Sequence, residues 1–315
     1  MKDLKKYIIS ESIFDINGTP NEFIYDIKSI IKDINNAPSE YTPYWVWPEN
    51  QKEFPRREFL SGKVIKLDIS NIEQTNYIVS LNNALSGAYR LETFDAHNMD
   101  FSNLESMCKM FFDCGRLKDV NISNWKTGKI NNISSIFEQN NKLRRVDLSM
   151  LQFAPKLNIT DAFRKCYSLE HIDLGPNSNC SAGFGVNGIP PSTFKRCQNL
   201  KYIRLGSLRM AYKDTSLRDC EKLEVFDGIF ISSREQCVWN LPPSLRSIRI
   251  KIKAKSSVNL YDFRHLVNLD KKSIQYLIDN IPNNSGGSIS VPSQWNLTND
   301  QKKQIENKNW RVFEE

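Results

Sequence analysis

Phe111-Phe112-Asp113-Cys114-Gly115-Arg116-Leu117-Lys118-Asp119-Val120-Asn121-Ile122 reads F-x-x-C-x-x-L-x-x-V-x-I. The same offsets return at Phe163, Cys166, Leu169, Ile172 and Leu174, and again at Phe194, Cys197, Leu200, Ile203 and Leu205. Leu217, Cys220, Leu223 and Phe226 make a further copy. Phe137, Asn140, Leu143, Val146 and Leu148 put asparagine in the cysteine position, and Leu85, Ala88, Leu91, Phe94 and Ala96 put alanine there. Val64, Leu67 and Ile69 read as an earlier strand, and Leu245, Ile248 and Ile250 as a later one. The leading leucines stand at 91, 117, 143 and 169, three steps of 26, and the next, Leu200, follows after 31. A fixed period of this length marks a stacked-repeat architecture.

Strand geometry explains the pattern. In L-x-x-V-x-I the alternating apolar positions point into the coil and the intervening ones face solvent. One coil cannot bury its own apolar face, so coils stack on a shared core. Strands about 4.8 Å apart would carry eight coils over about 40 Å. The expected fold class is α/β, a leucine-rich-repeat solenoid with one parallel β-sheet, an N-terminal helical cap and a C-terminal α/β cap. Residues 1–59 read as the capping or attachment segment, 60–255 as the solenoid and 256–315 as the terminal module. Cys114, Cys166, Cys197 and Cys220 fall at one repeat position and read as small buried thiols. Seven cysteines with no CxxC spacing support neither a disulfide framework nor a zinc site.

The run Asn121–Phe137, with Val146-Asp147-Leu148-Ser149 and its continuation to Phe163, resembles the 26-residue repeat of BspA-like leucine-rich-repeat proteins. That repeat runs L-D-L-S-x-F-D-T-S-x-V-T-N-M-x-x-M-F. The likeness covers residues 60–255, with a longer insertion at 175–193 and shorter final repeats. It implies a fold and no particular ligand.

Both ends carry capping signals. Thr19-Pro20-Asn21-Glu22 predicts a helix start, and Phe23, Ile24, Ile27, Ile30, Ile31 and Ile34 then form one apolar face over 20–35. The aromatic, proline-rich segment Tyr41–Pro48 is expected to pack against this cap. Asp270 precedes a helical pattern at Ile274, Leu277, Ile278 and Ile281, and Thr298-Asn299-Asp300-Gln301 offers a capping box. The order L-T-x-x-Q-K-x-x-I-x-x-K-x-W, from Leu297 to Trp310, resembles the terminal module of gut-bacterial and phage repeat proteins. With the opening Lys5–Phe14, that resemblance implies a tailed-phage origin.

Several chemistries find no support. His97, His171 and His265 stand apart from any ligand spacing, and HExxH, GxSxG and P-loop motifs do not occur. Gly183-Phe184-Gly185-Val186-Asn187-Gly188 reads GxGxxG, but Pro190-Pro191 follows where a dinucleotide site needs a helix. No cofactor is expected, and the chain reads as a non-enzyme. The net charge of +7 comes from 43 basic and 36 acidic residues without a basic run, so no nucleic-acid partner is expected. The first ten residues lack the apolar core of a signal peptide, and no stretch approaches the length of a membrane span. The expected setting is cytoplasmic on synthesis and then the virion.

The outward position before the last strand apolar residue holds Asp68, Asp95, Asn121, Asp147, Asp173, Arg204, Asp227 and Arg249. Neighbouring columns supply Lys66, Lys118, Arg144, Arg145, Lys201 and Arg246, enough to offset repulsion within an acidic ladder. Few of the carboxylates converge as calcium requires. The candidate binding face is Arg145, His171, Asp173, Tyr202, Arg204 and Arg249. Its expected partner is a protein: a virion component, or a host-surface protein or glycan. A BspA-like bacterial adhesin and an intracellular interaction protein are the alternatives.

Overall fold

The computed structural model describes residues 40–41, 52, 64–70, 72–175, 181–182, 189–190, 192–211, 217–232, 236–238, 241–254, 260–283 and 286–315. In chain order the first strands are β1 (Glu40–Tyr41), β2 (Lys66–Asp68), β3 (Thr93–Asp95), β4 (Asp100–Phe101), β5 (Asp119–Asn121) and β6 (Lys126–Thr127). β7 (Ile130–Asn132), β8 (Arg145–Asp147), β9 (Phe153–Asn158), β10 (His171–Asp173), β11 (Ser181–Ala182) and β12 (Tyr202–Ala211) follow. The last are β13 (Val225–Ser232), β14 (Gln236–Val238), β15 (Ser247–Ala254), β16 (Leu260–Asp262), β17 (Gly287–Val291) and β18 (Trp310–Glu314). Two helices, α1 (Lys271–Asn280) and α2 (Asn299–Glu306), lead into β17 and β18.

Every described pairing is parallel, the signature of coils wound in one sense into a β-solenoid of about eight turns. Register holds residue for residue. Leu67 lies opposite Phe94, and Phe94 opposite Val120. Val146, Ile172, Ile203, Phe226 and Ile248 continue the column. Those side chains are buried, Val120 alone being only partly so.

The expected single sheet is divided. β1-β2-β3-β5 form one ladder and β8-β10-β12-β13-β15 another, and the step from β5 to β8 is unpaired. Lys118 and Arg144 stand at equivalent repeat positions on either side of that step, and like charges on adjacent strands are unfavourable. On a second wall β4 pairs with β6, and β7, β9 and β11 form a three-stranded ladder.

Among the described residues α-helix lies only in the terminal segment, so the α/β label fits there and not in the coils. The coils turn instead through left-handed residues in fixed columns. Asn83, Lys109, Ser135 and Asp161 share one, while Gly87, Asp113, Gln139, Lys165 and Arg196 share another. Their backbone N–H groups donate along the axis, as from Lys109 to the Ser134 carbonyl (2.9 Å) and from Ser135 to that of Thr160 (2.8 Å). These inter-coil bonds offset the left-handed cost of roughly 1 kcal/mol per residue. The helix expected over 20–35 and the 42–48 part of the aromatic segment lie outside the described residues.

Beneath the strands runs a file of rings. Phe94 meets Phe111 edge-on at 5.1 Å, then Phe111–Phe137, Phe137–Phe163 and Phe163–Phe194 stack at 5.3, 6.0 and 5.7 Å. Each pair adds about 0.5–1.5 kcal/mol beyond burial. The cysteine column lies beside it. Cys114, Cys166 and Cys197 donate to the carbonyls of Leu85, Phe137 and Phe163 at 3.0, 2.9 and 3.0 Å. Asn140 makes the equivalent bond to the Phe111 carbonyl at 2.7 Å. The position therefore takes a small residue, and where that residue is Cys114, Asn140, Cys166 or Cys197 its donor reaches back one coil.

The terminal segment keeps its predicted caps. Asp270 accepts from the Ser273 N–H, and Thr298 and Gln301 form the reciprocal box. Ile274, Leu277 and Ile278 are buried, as their spacing predicts. Lys308 Nζ donates to the carbonyls of Ile278, Asp279 and Ile281, closing the C-terminal end of α1.

Candidate binding face

The outward side chains of β8, β10, β12, β13 and β15 form two columns fixed by strand register. One runs Arg145, His171, Tyr202, Val225, Ser247, and the other Asp147, Asp173, Arg204, Asp227, Arg249. All six residues singled out from the sequence lie in these columns. In the first, the His171 and Tyr202 rings stack at 4.2 Å with 4° between planes. A parallel strand step of about 4.8 Å brings two such rings into contact with no local distortion.

Charge in the second column is paired along the axis. Arg204 Nη1 lies 3.2 Å from Asp173 Oδ2, whose other oxygen accepts from the Gly175 N–H at 2.8 Å. Arg145 reaches Asp147 more loosely, at 3.6 Å, and its side chain is 64% exposed. Arg249, exposed, stands one rung beyond Asp227 and two beyond Arg204. Burial holds the Asp227 carboxyl above its usual range, against the opposing pull of Arg204 and Arg249.

His171 is held below the ordinary histidine range, first by burial and then by Arg145. It is neutral near pH 7, and its Nε2 is buried with no hydrogen-bond partner. The column therefore presents a neutral aromatic pair bordered by guanidinium groups. Such a surface suits stacking and hydrogen bonding. Ser273 Oγ of α1 accepts from the Ile248 N–H at 2.9 Å, docking that helix on β15. Tyr276 of α1 feels Asp227 and Arg249, and so borders this face. Sequence reasoning passed over Tyr276, because the helix periodicity marks only the buried residues.

Elsewhere along the same outer row, His97 sits 2.6 Å from Asp95 and is held above its ordinary range by that hydrogen bond. Glu92–Lys118 and Glu170–Lys201 pair at 2.7 and 2.9 Å between adjacent coils, so these lysines meet glutamates of their own column and not the acidic ladder. Among the described residues no group of three or more His, Cys, Asp or Glu could hold a metal, and no helix is long and apolar enough to cross a membrane. The Gly183–Gly188 segment lies outside the described residues.

Residues 55–174 match a family model described as "Mycoplasma protein of unknown function, DUF285". No curated protein matches the chain. Among solved structures, it is similar to TLR13 in a complex with the RNA ssRNA13, at 14% identity and a TM-score of 0.39, over 91% of this chain and 44% of that one. A leucine-rich repeat protein from Bacteroides ovatus ATCC 8483 matches at 13% identity and a TM-score of 0.32, over 83% of this chain and 87% of that one. The plant peptide hormone receptor RGFR1, in complex with RGF2, matches at 13% identity and a TM-score of 0.37. That match covers 90% of this chain and 44% of the receptor chain. The chain thus spans less than half the length of the TLR13 and RGFR1 chains. The solenoid description rests on the strand pairing set out above.

Proposed function

We propose that the chain is a non-catalytic protein-recognition module that contacts its partner through Arg145, His171, Asp173, Tyr202, Arg204 and Arg249. The observation carrying this reading is the stacked His171–Tyr202 pair in a strand row whose register is fixed by backbone pairing. Aromatic and arginine side chains on a preorganised surface are the groups that dominate protein interfaces. A register set by backbone pairing keeps them in place before the partner arrives.

A narrower setting is a virion-associated protein on the tail or capsid surface of a tailed phage, contacting a virion component or a host-surface protein or glycan. It rests on the terminal motif Leu297–Trp310 and is tested apart from the face. BspA-like membership, with an adhesin role, rests on the repeat pattern.

The test of the face compares proteins retained by the immobilised chain with those retained by a Tyr202→Ala, Arg249→Glu variant of unchanged thermal midpoint. A partner held by the first and lost by the second is expected. Identical retention by both would overturn the face. For the setting, mass spectrometry of gradient-purified phage particles should find this chain at stoichiometric copy number. Its absence from particles removes the virion role and leaves the recognition reading standing.

A further inference from the structure

The step from β5 to β8 breaks two regularities at once. Along the column that opens each strand stand Glu92, Lys118, Arg144, Glu170, Lys201, Glu224, Arg246 and Asp270. Consecutive members are joined by backbone N–H to carbonyl bonds of 2.8 or 2.9 Å, with one exception. Lys118 donates to Glu92, Glu170 to Arg144, Lys201 to Glu170, Glu224 to Lys201, Arg246 to Glu224 and Asp270 to Arg246. Among the described residues no backbone bond joins Arg144 to Lys118. Charge alternates along this column at every step but that same one. The rung after the strand repeats the gap. Ile69, Ala96, Leu148 and Leu174 donate to the carbonyls of Asp95, Asn121, Asp173 and Arg204, while no such bond links Ile122 to Asp147.

At the C-terminal ends of these two strands lies a cleft of about 240 Å³, bounded by Val120–Ser123 on one side and Asp147–Leu151 on the other. Val120, alone in its column, is not fully buried because the core opens here. The coils stay joined on their other wall, where Lys109, Phe111 and Asp113 donate to Ser134, Ile136 and Glu138 at 2.9 Å each. The opening is therefore one-sided, a slot in the strand face of a continuous core.

Two parallel strand edges that face each other offer alternating donors and acceptors along about 10 Å, the length of a three-residue strand. Only another extended backbone meets both rows at once. An acidic residue between Lys118 and Arg144 would also restore the alternation. We propose that this slot takes an extended segment of a partner protein as an inserted parallel strand. The segment carries Glu at the Lys118–Arg144 rung and small apolar residues two and four positions later, over Val120 and Ile122. The site is separate from the His171–Tyr202 pair and does not rest on it.

The test uses hydrogen exchange of the full chain with the capped peptide Glu-Thr-Val-Asn-Ala and its Lys-Thr-Val-Asn-Ala counterpart. At ten times its dissociation constant, the acidic peptide should slow exchange at 118–124 and 144–150 by about tenfold. The 200–205 segment should not change. The basic peptide should do nothing. Equal slowing by both peptides, or no slowing at either edge, overturns the proposal. Exchange at 118–124 as slow as at 92–98 without peptide also overturns it, since the ladder is then closed. A chain with Glu92→Lys and Lys118→Glu alternates without a guest, so its slot should close and its response to the peptide should vanish. Tyr202→Ala should leave the peptide response intact, which separates failure here from failure of the binding face.

Discussion

In the thiol column, Asn140 is the member whose chemistry fits least well. Its amide donates to the carbonyls of Phe111 and Phe137, but its buried Oδ1 has no partner. A buried acceptor left unmet costs about 1–3 kcal/mol. Cysteine is close in size, keeps one donor toward Phe111 and removes the orphan oxygen, while Phe137 keeps its bond from Cys166. Asn140→Cys should therefore raise stability by about 1 kcal/mol, read as a higher midpoint in urea with unchanged slope. An unchanged or lower midpoint would mean that the second amide bond outweighs the orphan. The column itself was legible from spacing alone, because Cys, Asn and Ala all fit one small buried site. Its hydrogen-bonding role was not, since a pattern of residue types does not say which carbonyl lies above. The left-handed columns escaped for the same reason: Lys109, Gln139 and Lys165 carry no turn signature and adopt positive φ only because the neighbouring coil holds their N–H groups.

Strands and turns test the packing between coils. Gly175 has φ +80°, and a Cβ added there would stand 2.7 Å from the Ser149 carbonyl oxygen of the coil below. Gly115, by contrast, has nothing within 4 Å of its would-be Cβ. Gly175→Ala should cost about 2 kcal/mol or more, and Gly115→Ala less than about 0.5, both read by denaturant midpoint. Equal costs would show that the coils relax apart at the Gly175 turn. At this scale the strands, the Asp270 and Thr298 caps and the buried face of α1 could be read from periodicity and capping chemistry. Division of the sheet could not be read in advance, although Lys118 and Arg144 mark where it falls. The like-charge step becomes visible only once both are known to occupy adjacent rungs. Of the binding face, the register placing His171 beside Tyr202 followed from the repeat, whereas Tyr276 required the packing of α1.

Across the whole molecule, one apolar cluster runs from Val64 to Trp310 without a break, even where the strand ladder opens. Burial pushes Cys114 and Cys197 up to about 12 and holds Cys166 and Cys220 well above the usual thiol range. These four thiols are thus withheld as nucleophiles, while Cys108, partly exposed, is not. Alkylation at pH 8 followed by peptide mass spectrometry should label Cys108 quickly and the four column cysteines together, at the rate of global unfolding. Separate rates within the column would show that the solenoid opens in sections.

The constant 26-residue step from Leu91 to Leu169 has a consequence at the level of heredity. Each coil between these leucines is built on the same columns, so an in-frame gain or loss of one whole repeat would preserve most of the core contacts of the coils that remain. Such a change would move the His171–Tyr202 pair along the axis by one strand spacing without redrawing it. A gene built this way can vary the reach of its product by slippage between copies, while point substitutions tune the surface independently.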